Sequence, residues 1–295
     1  MSLTLVSNKG IAQEQNRKVG IFLSGGGALG FAHIGILQAL EEEGIYPEYI
    51  AGASMGALVG SFYASGKSPE DIKKIVLDEK LYKRRKLFST SGAKKKNVSF
   101  TTHKKVRKIL ERHINTDNFE DLPRKLMVAV SNLTDHSTEV IDSGNHLIDY
   151  LLASMSIPAI FEPVEMNGKI YIDGGMFNHF PTAEIREKVD VLIGVDVMPE
   201  RDTVIIKNIP DILSSYVHAV AMINGKEGRD RCDHLIDSPA INHYKVLEFN
   251  KFEEIYNIGY QTMKKYIEEH PEIKNLRVNQ NSSIIPEDIR LSVTE

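Results

Sequence analysis

The chain has 295 residues, of which 42% are hydrophobic and 26% are charged, and its net charge is −4. These values are ordinary for a soluble globular protein, and the single cysteine, Cys232, excludes an internal disulfide bond and a metal site built from several cysteines. No apolar run is long enough to cross a bilayer, and the N-terminus lacks the pattern of a secretory signal. We therefore expect a cytoplasmic protein, attached to the inner face of a membrane at most peripherally.

Two glycine-rich turns organise the first part of the chain. One follows an apolar run over 19–23 and leads into a helical pattern over 31–43. The other follows an apolar run over 49–51 and leads into an apolar helix over 55–64. Both turns indicate strand-to-helix corners. This order predicts parallel strands joined by right-handed crossovers, as in an α/β fold.

The rest of the chain continues the alternation of helices and strands. Apolar periodicity and turn residues predict helices over 69–77, 102–114, 146–154, 181–188, 209–223 and 252–268. Strands are predicted over 125–130, 138–142, 169–172, 189–197 and 246–249. Between the predicted helices 69–77 and 102–114, residues 80–98 show no clear hydrophobic periodicity, which indicates a loop.

The second turn, Gly52-Ala53-Ser54-Met55-Gly56, has the Gly-x-Ser-x-Gly pattern. Small flanking residues allow a serine to occupy a sharp turn with its hydroxyl exposed above a helix N-terminus. The alternative is a tight turn with an idle serine. An α/β-hydrolase triad is disfavoured, because that fold builds several strands before its nucleophile and only 53 residues precede Ser54. The pattern therefore predicts a serine nucleophile on a different α/β fold.

The first turn, Gly25-Gly26-Gly27-Ala28-Leu29-Gly30, has two interpretations. The amides of Gly25, Gly26, Gly27 and Ala28, aided by the helix dipole, can stabilise a negative oxygen as an oxyanion hole. The glycine spacing also matches a dinucleotide-binding turn. That alternative needs an acidic residue at the end of the next strand, where this chain has Ala51-Gly52-Ala53-Ser54. We therefore favour the oxyanion hole over a nucleotide site.

A serine nucleophile needs a base, and the strongest candidate is Asp173. It ends a predicted strand and is followed by Gly174 and Gly175, so a carboxylate at this sheet edge can reach a serine hydroxyl with little obstruction. An ordinary Asp-Gly turn is the alternative. Among the ten histidines, His33 is expected to pack or hydrogen-bond within the first helix, and His179 to be a surface or supporting group in a connector.

A basic segment begins at Lys80 and extends to Lys108. Residues 80–110 contain twelve Lys or Arg and no Asp or Glu. Nucleic-acid binding would call for interleaved aromatic residues or a recognisable module, and neither is present. Clustered cations beside apolar side chains can engage anionic lipid head groups, at about 1 kcal/mol per basic residue; here those side chains are Leu81, Tyr82, Leu87 and Phe88. A solvated, flexible charged loop is the alternative.

Three motifs in this order resemble the patatin-like phospholipase family, especially its compact bacterial members. They are the glycine turn 25–30, the pentad 52–56 and Asp173-Gly174-Gly175. The resemblance extends over about 18–197. It is supported by His33-Ile34-Gly35-Ile36-Leu37, by the run 153–164 and by residues 178–181. Gly30, Gly52, Gly56, Gly174 and Gly175 are the motif positions that support the site. One departure is Leu29, where the family often has Arg or Lys.

The resemblance implies a lipid acyl hydrolase that uses a Ser-Asp dyad, with no catalytic histidine, no cofactor and no metal. Ser54 would be the nucleophile, Asp173 the general base, and the amides of Gly25 to Ala28 the oxyanion hole. It implies a three-layer α/β/α sandwich with a mainly parallel central sheet. We expect a flexible leader over 1–17, one domain over 18–274 with a basic cap at about 78–115, and a polar tail over 275–295. A catalytically weak lipid-binding or regulatory protein on the same fold is the alternative.

Overall fold

A computed structural model describes residues 17–83, 99–101, 103–200, 206–207 and 209–278. Most of the predicted leader, the middle of the basic segment and most of the predicted tail lie outside the described residues. The first residues of that tail continue the fold, because Leu276 is buried and the amide of Val278 donates to the carbonyl of Gly44 at 3.0 Å.

The described helices are α1 (Ala32–Glu42), α2 (Met55–Ala64), α3 (Pro69–Asp78), α4 (Lys104–His113), α5 (Leu147–Ser154), α6 (Ala183–Arg186), α7 (Ile209–Asn224), α8 (Lys226–Asp230) and α9 (Phe252–Glu269). The strands are β1 (Val19–Leu23), β2 (Tyr49–Gly52), β3 (Ser99–Thr101), β4 (Lys125–Asn132), β5 (Ser137–Ile141), β6 (Ala159–Phe161), β7 (Val164–Met166), β8 (Lys169–Asp173), β9 (Val191–Asp196) and β10 (His234–Asp237). None of the described helices combines the length and apolar character needed to span a membrane.

Eight strands form the central sheet in the order β10-β9-β1-β2-β4-β8-β7, and β5 also pairs with β4. The five strands from β10 to β4 are parallel, whereas β5, β8 and β7 join antiparallel. The predicted α/β fold with a mainly parallel central sheet is confirmed. The carboxyl ends of β1, β2 and β9 therefore meet at one edge, where the two glycine turns begin.

Side chains alternate between the two faces of this sheet, as they do in any extended strand. Ile21 and Leu23 join the larger apolar cluster, which includes residues of α1, α2 and α9. Phe22 belongs to a smaller cluster that contains Phe180 and Ile185 of α6. Both faces are covered, which explains why these strands are apolar along their whole length.

The strand predicted over 246–249 is wrong. Val246 and Leu247 lie in a connection that lines a cavity, and a short 3-10 helix follows at Phe249–Lys251. Their apolar side chains are explained by that cavity and not by a place in the sheet. The strand β10, by contrast, was not predicted, because four residues that begin with His and end with Asp carry little apolar signal.

Candidate active site

Ser54 lies in a strained turn between β2 and α2. Its φ of 52° and ψ of −121° are unusual for a residue with a side chain. A Cβ at Gly52 would lie 2.6 Å from the carbonyl carbon of Gly56, and a Cβ at Gly56 would overlap the carbonyl of Leu23. Only glycines allow the start of α2 to approach β1 and β2 this closely. The strain is held in place by the surrounding packing, which is typical of a functional turn.

The first glycine turn presents free amides beside this serine. Gly26 has a φ of 154° and Gly27 a φ of 56°, values that favour glycine. The amides of Gly25, Gly26 and Gly27 have no hydrogen-bond acceptor within the described ranges, whereas the amide of Ala28 donates to the carbonyl of Val246 at 2.8 Å. Three of the four predicted oxyanion donors are therefore available in this conformation.

Asp173 ends β8 and is only 3% exposed. Its Oδ1 accepts the amide of Gly175 at 2.9 Å. Burial raises the pKa of the carboxyl to about 6, while the nearby Ser54 hydroxyl and the Gly175 amide act in the opposite direction. Its Oδ2 has no hydrogen-bond partner of normal geometry among the described residues. Catalytic hydrogen bonds are often loose before substrate binds, so this oxygen can take up a proton.

Two serines at the end of α5 hold these groups together, and the sequence reasoning gave them no role. The Ser154 hydroxyl accepts the amide of Ser54 at 2.9 Å, and the Ser154 carbonyl accepts the amide of Gly174 at 3.2 Å. The Ser156 carbonyl accepts the amide of Asp173 at 3.0 Å. The signal that could have identified them is the placement of two small polar residues at the end of an apolar helix.

The serine lies between two adjoining pockets, the reactive arm and the apolar arm. The first arm contains the glycine turn, Asp173 and His179, together with Met176 and Met198. The second arm is almost wholly apolar and runs beneath the buried face of α4, past Leu58, Val106 and Ile109. Ser54, Gly27, Ile157 and Leu247 line both arms. One arm is therefore suited to the reacting groups and the other to a hydrocarbon chain.

The two histidines considered from the sequence both lie near the glycine turn. His33 is fully buried, and its Nε2 lies 2.9 Å from the Ser24 carbonyl, as expected for a packing residue. His179 is not at the surface, because it is only 2% exposed and lines the reactive arm. Burial lowers the pKa of each to about 4. Both imidazoles are therefore neutral at neutral pH.

Behind His179 lies a buried ion pair that no motif indicated. Asp196 ends β9, is 2% exposed, and accepts Arg229 Nε at 2.5 Å and the amide of Met198 at 2.8 Å. His179 Nε2 lies 3.9 Å from Asp196 Oδ1. In the described ranges, no group of three or more His, Cys, Asp or Glu is arranged to hold a metal ion.

A family model described as patatin-like phospholipase matches residues 21–185. Lysophospholipase NTE1 of Candida glabrata is 28% identical over 281 residues, which cover 85% of this chain and 16% of that protein. Lysophospholipase NTE1 of Saccharomyces cerevisiae is 28% identical over 272 residues, which cover 82% and 16%. The chain thus spans about a sixth of the length of these relatives.

Among solved structures, VipD from Legionella pneumophila matches with a TM-score of 0.52 at 16% identity, over 91% of this chain and 71% of that one. At this level of identity the match indicates a shared fold.

Proposed function

Because this chain belongs to the patatin-like phospholipase family, we propose that it hydrolyses the carboxylic esters of lipids through an acyl-serine intermediate. The observation that carries the proposal is the pocket that Ser54 and Asp173 share, beside three amides that have no acceptor among the described residues. The relatives are named lysophospholipases, which favours a lipid with a single acyl chain. Neutral glycerides and diacyl phospholipids are further substrates to test.

In the acylation step, the ester carbonyl lies against the amides of Gly25, Gly26 and Gly27. Asp173 takes the proton of the Ser54 hydroxyl as the oxygen attacks the carbonyl carbon. The amides stabilise the negative oxygen of the tetrahedral intermediate. When the intermediate collapses, Asp173 returns the proton to the leaving alcohol, and the acyl group remains on Ser54.

In the deacylation step, water replaces the alcohol. Asp173 takes a proton from the water as it attacks the acyl carbon, and the same amides stabilise the second tetrahedral intermediate. The pKa of Asp173, about 6, suits this role, because the carboxylate is ionised at neutral pH and still basic enough to accept a proton. Collapse releases the fatty acid and returns the proton to Ser54.

We assign the acyl chain to the apolar arm. That arm begins at Ser54 and is closed on one side by Val106 and Ile109 of α4. Lys104 and Lys108 lie on the opposite, exposed face of this helix. The helix therefore separates the acyl chain from a basic surface, which supports the predicted cap over about 78–115.

The basic surface supports peripheral contact with anionic membranes, on the inner face if the protein is cytoplasmic. Much of the segment from Lys80 to Lys108 lies outside the described residues, so the test uses the two exposed lysines of α4. Lys104→Gln with Lys108→Gln should weaken binding to vesicles that contain anionic lipid roughly 30-fold, at about 1 kcal/mol for each charge. Lys125→Gln with Lys226→Gln removes equal charge elsewhere and should have little effect. If both double variants lost vesicle binding equally, a specific basic surface on α4 would be excluded.

The other candidate is a catalytically weak lipid-binding or regulatory protein. Labelling with a fluorophosphonate, followed by intact-mass measurement and by assays with p-nitrophenyl esters and lysophospholipids, distinguishes the two. We expect one adduct on the wild type, none on Ser54→Ala, and loss of turnover in that variant. A folded wild-type protein with neither adduct nor turnover would overturn the hydrolase proposal and favour the binding protein.

A further inference from the structure

His179 lies between the two halves of the site. A Cβ placed on Gly25 would be 3.5 Å from His179 Cε1 and 3.4 Å from Ser54 Cβ. A Cβ placed on Gly175 would be 3.2 Å from His179 Nδ1 and 3.4 Å from Asp173 Oδ1. The ring therefore extends from the glycine turn to the aspartate, and glycines at both positions leave room for it.

The space beside Gly175 is bounded by two polar atoms. Apart from the glycine itself and its chain neighbours, His179 Nδ1 and Asp173 Oδ1 are the only atoms of the described residues within 4 Å of the Cβ position. Since both lie within 3.4 Å of one point, they are less than about 7 Å apart. A water with two hydrogen bonds of about 2.8 Å can bridge atoms roughly 5.5 Å apart. A separation of that size lies within the bound of about 7 Å and would hold one water molecule.

The ion pair behind His179 favours one tautomer of the ring, although Nε2 itself makes no hydrogen bond among the described residues. Asp196 is fixed by Arg229 and by the Met198 amide, so its negative charge stays close to His179 Nε2. A carboxylate beside one ring nitrogen favours the tautomer that carries the proton there. The other nitrogen, Nδ1, then has a free lone pair on the side of Asp173.

We propose that His179 holds the attacking water during deacylation, a role that rests on the acyl-serine chemistry proposed above. The water oxygen forms a bond to the acyl carbon and gives one proton to Asp173, while its other proton is hydrogen-bonded to Nδ1 of His179. The bond from the acyl carbon to Ser54 Oγ then breaks, and Oγ takes the proton from Asp173. The fatty acid leaves with the proton that His179 had oriented.

The test compares two variants of similar size. His179→Asn can place an amide oxygen near the former Nδ1, whereas His179→Leu removes every acceptor. With a p-nitrophenyl ester in stopped flow, we expect His179→Leu to release a burst of p-nitrophenolate close to one per enzyme. A steady-state rate about tenfold or more below the wild type should follow, because one hydrogen bond to the water is lost. His179→Asn should recover most of that rate.

Fluorophosphonate labelling requires no attacking water, so its rate should change less than about threefold in both variants. Equal steady-state rates in the Asn and Leu variants, or slow labelling in both, would overturn the assignment in favour of a packing role. Failure of the wild type to label would instead refute the proposed function itself.

A second variant tests the gap with the histidine in place. The φ of Gly175 lies outside the left-handed region that favours glycine, so alanine can adopt this backbone, and its Cβ would press on His179 Nδ1 at 3.2 Å. Gly175→Ala puts a methyl group between Nδ1 and Asp173 Oδ1, and we expect the same burst followed by slow turnover. Unchanged deacylation in a folded Gly175→Ala protein would exclude a water at this position, even if neither His179 variant folds.

Discussion

Asp173 and Asp196 are two buried carboxylates at the ends of two strands of one sheet, and their surroundings differ. Asp196 is 2% exposed and is compensated by Arg229 and the Met198 amide. Asp173 is 3% exposed, but no charged side chain contributes to its pKa, and Oδ2 lacks a partner among the described residues. The negative charge of Asp196 is paired with a positive one. The negative charge of Asp173 has no such partner among the described residues, so ionising it costs free energy. Burial alone therefore does not distinguish the two carboxylates, whereas burial without compensation favours Asp173 as the candidate base.

The largest difference that we predict between them is in activity. Asp173→Asn should lower kcat by a factor of about 10³ or more, because the proton of Ser54 would have no acceptor. Asp196→Asn should retain activity within about tenfold per folded molecule, since it acts only through His179. The measurement is ester turnover per mole of folded protein. Similar losses in both variants would contradict the comparison.

The next difference is in stability, where the two substitutions should act in opposite directions. Asp196→Asn leaves the partly buried Arg229 without its counter-charge, and we expect a loss of about 3–5 kcal/mol in the free energy of unfolding. The pKa of Asp173 rises from 3.8 to about 6 on folding, so its ionised form destabilises the fold by up to about 3 kcal/mol above pH 6.

The sign of that contribution fixes a pH dependence. The stability associated with Asp173 is fully present below pH 4 and is lost as the pH rises through about 6. Asp173→Asn should therefore unfold at higher urea concentration than the wild type at pH 8 and at a similar one near pH 4. A loss of stability at pH 8 would show that the carboxylate is compensated after all.

The smallest effect concerns the pH profile of the reaction. The kcat/KM of the wild type should rise about tenfold per pH unit below a midpoint near 6 and level off above it, because only ionised Asp173 accepts the serine proton. Asp196→Asn should keep this midpoint, since Asp196 is not among the groups that shift the pKa of Asp173. An uncharged ester measured from pH 4 to 9 provides the test. A midpoint that moves by a full unit would indicate coupling between the two carboxylates.

Much of the fold could be predicted because the relevant signals are local. The apolar runs before each glycine turn and the small residues after them predicted β1, β2, α1 and α2, and the family resemblance is confirmed by the match over 21–185. The sequence predicted a strand at Val246 and Leu247, because apolar side chains that line a cavity have the same composition as those in a sheet.

The candidate site was predictable only where one motif contains the chemistry. Ser54 and Asp173 were named from patterns that span a few residues, and their catalytic roles stay predictions. Ser154, Arg229 and the buried position of His179 were not predicted, because each depends on a contact between segments far apart in the chain. A histidine in a connector carries no local sign that it will be enclosed.

The hydrogen bond from the Ala28 amide to the Val246 carbonyl has a consequence for how much of the chain is needed for catalysis. Val246 lies 61 residues beyond the last position of the family match. Asp196, which ends β9, and its partner Arg229 also lie beyond that position, though nearer to it. The glycine turn, although encoded near the start, is shaped by residues from the last fifth of the protein. The three motifs are therefore not a transferable module, and a piece of the chain that ended with them would carry the candidate catalytic residues without the framework that sets their positions.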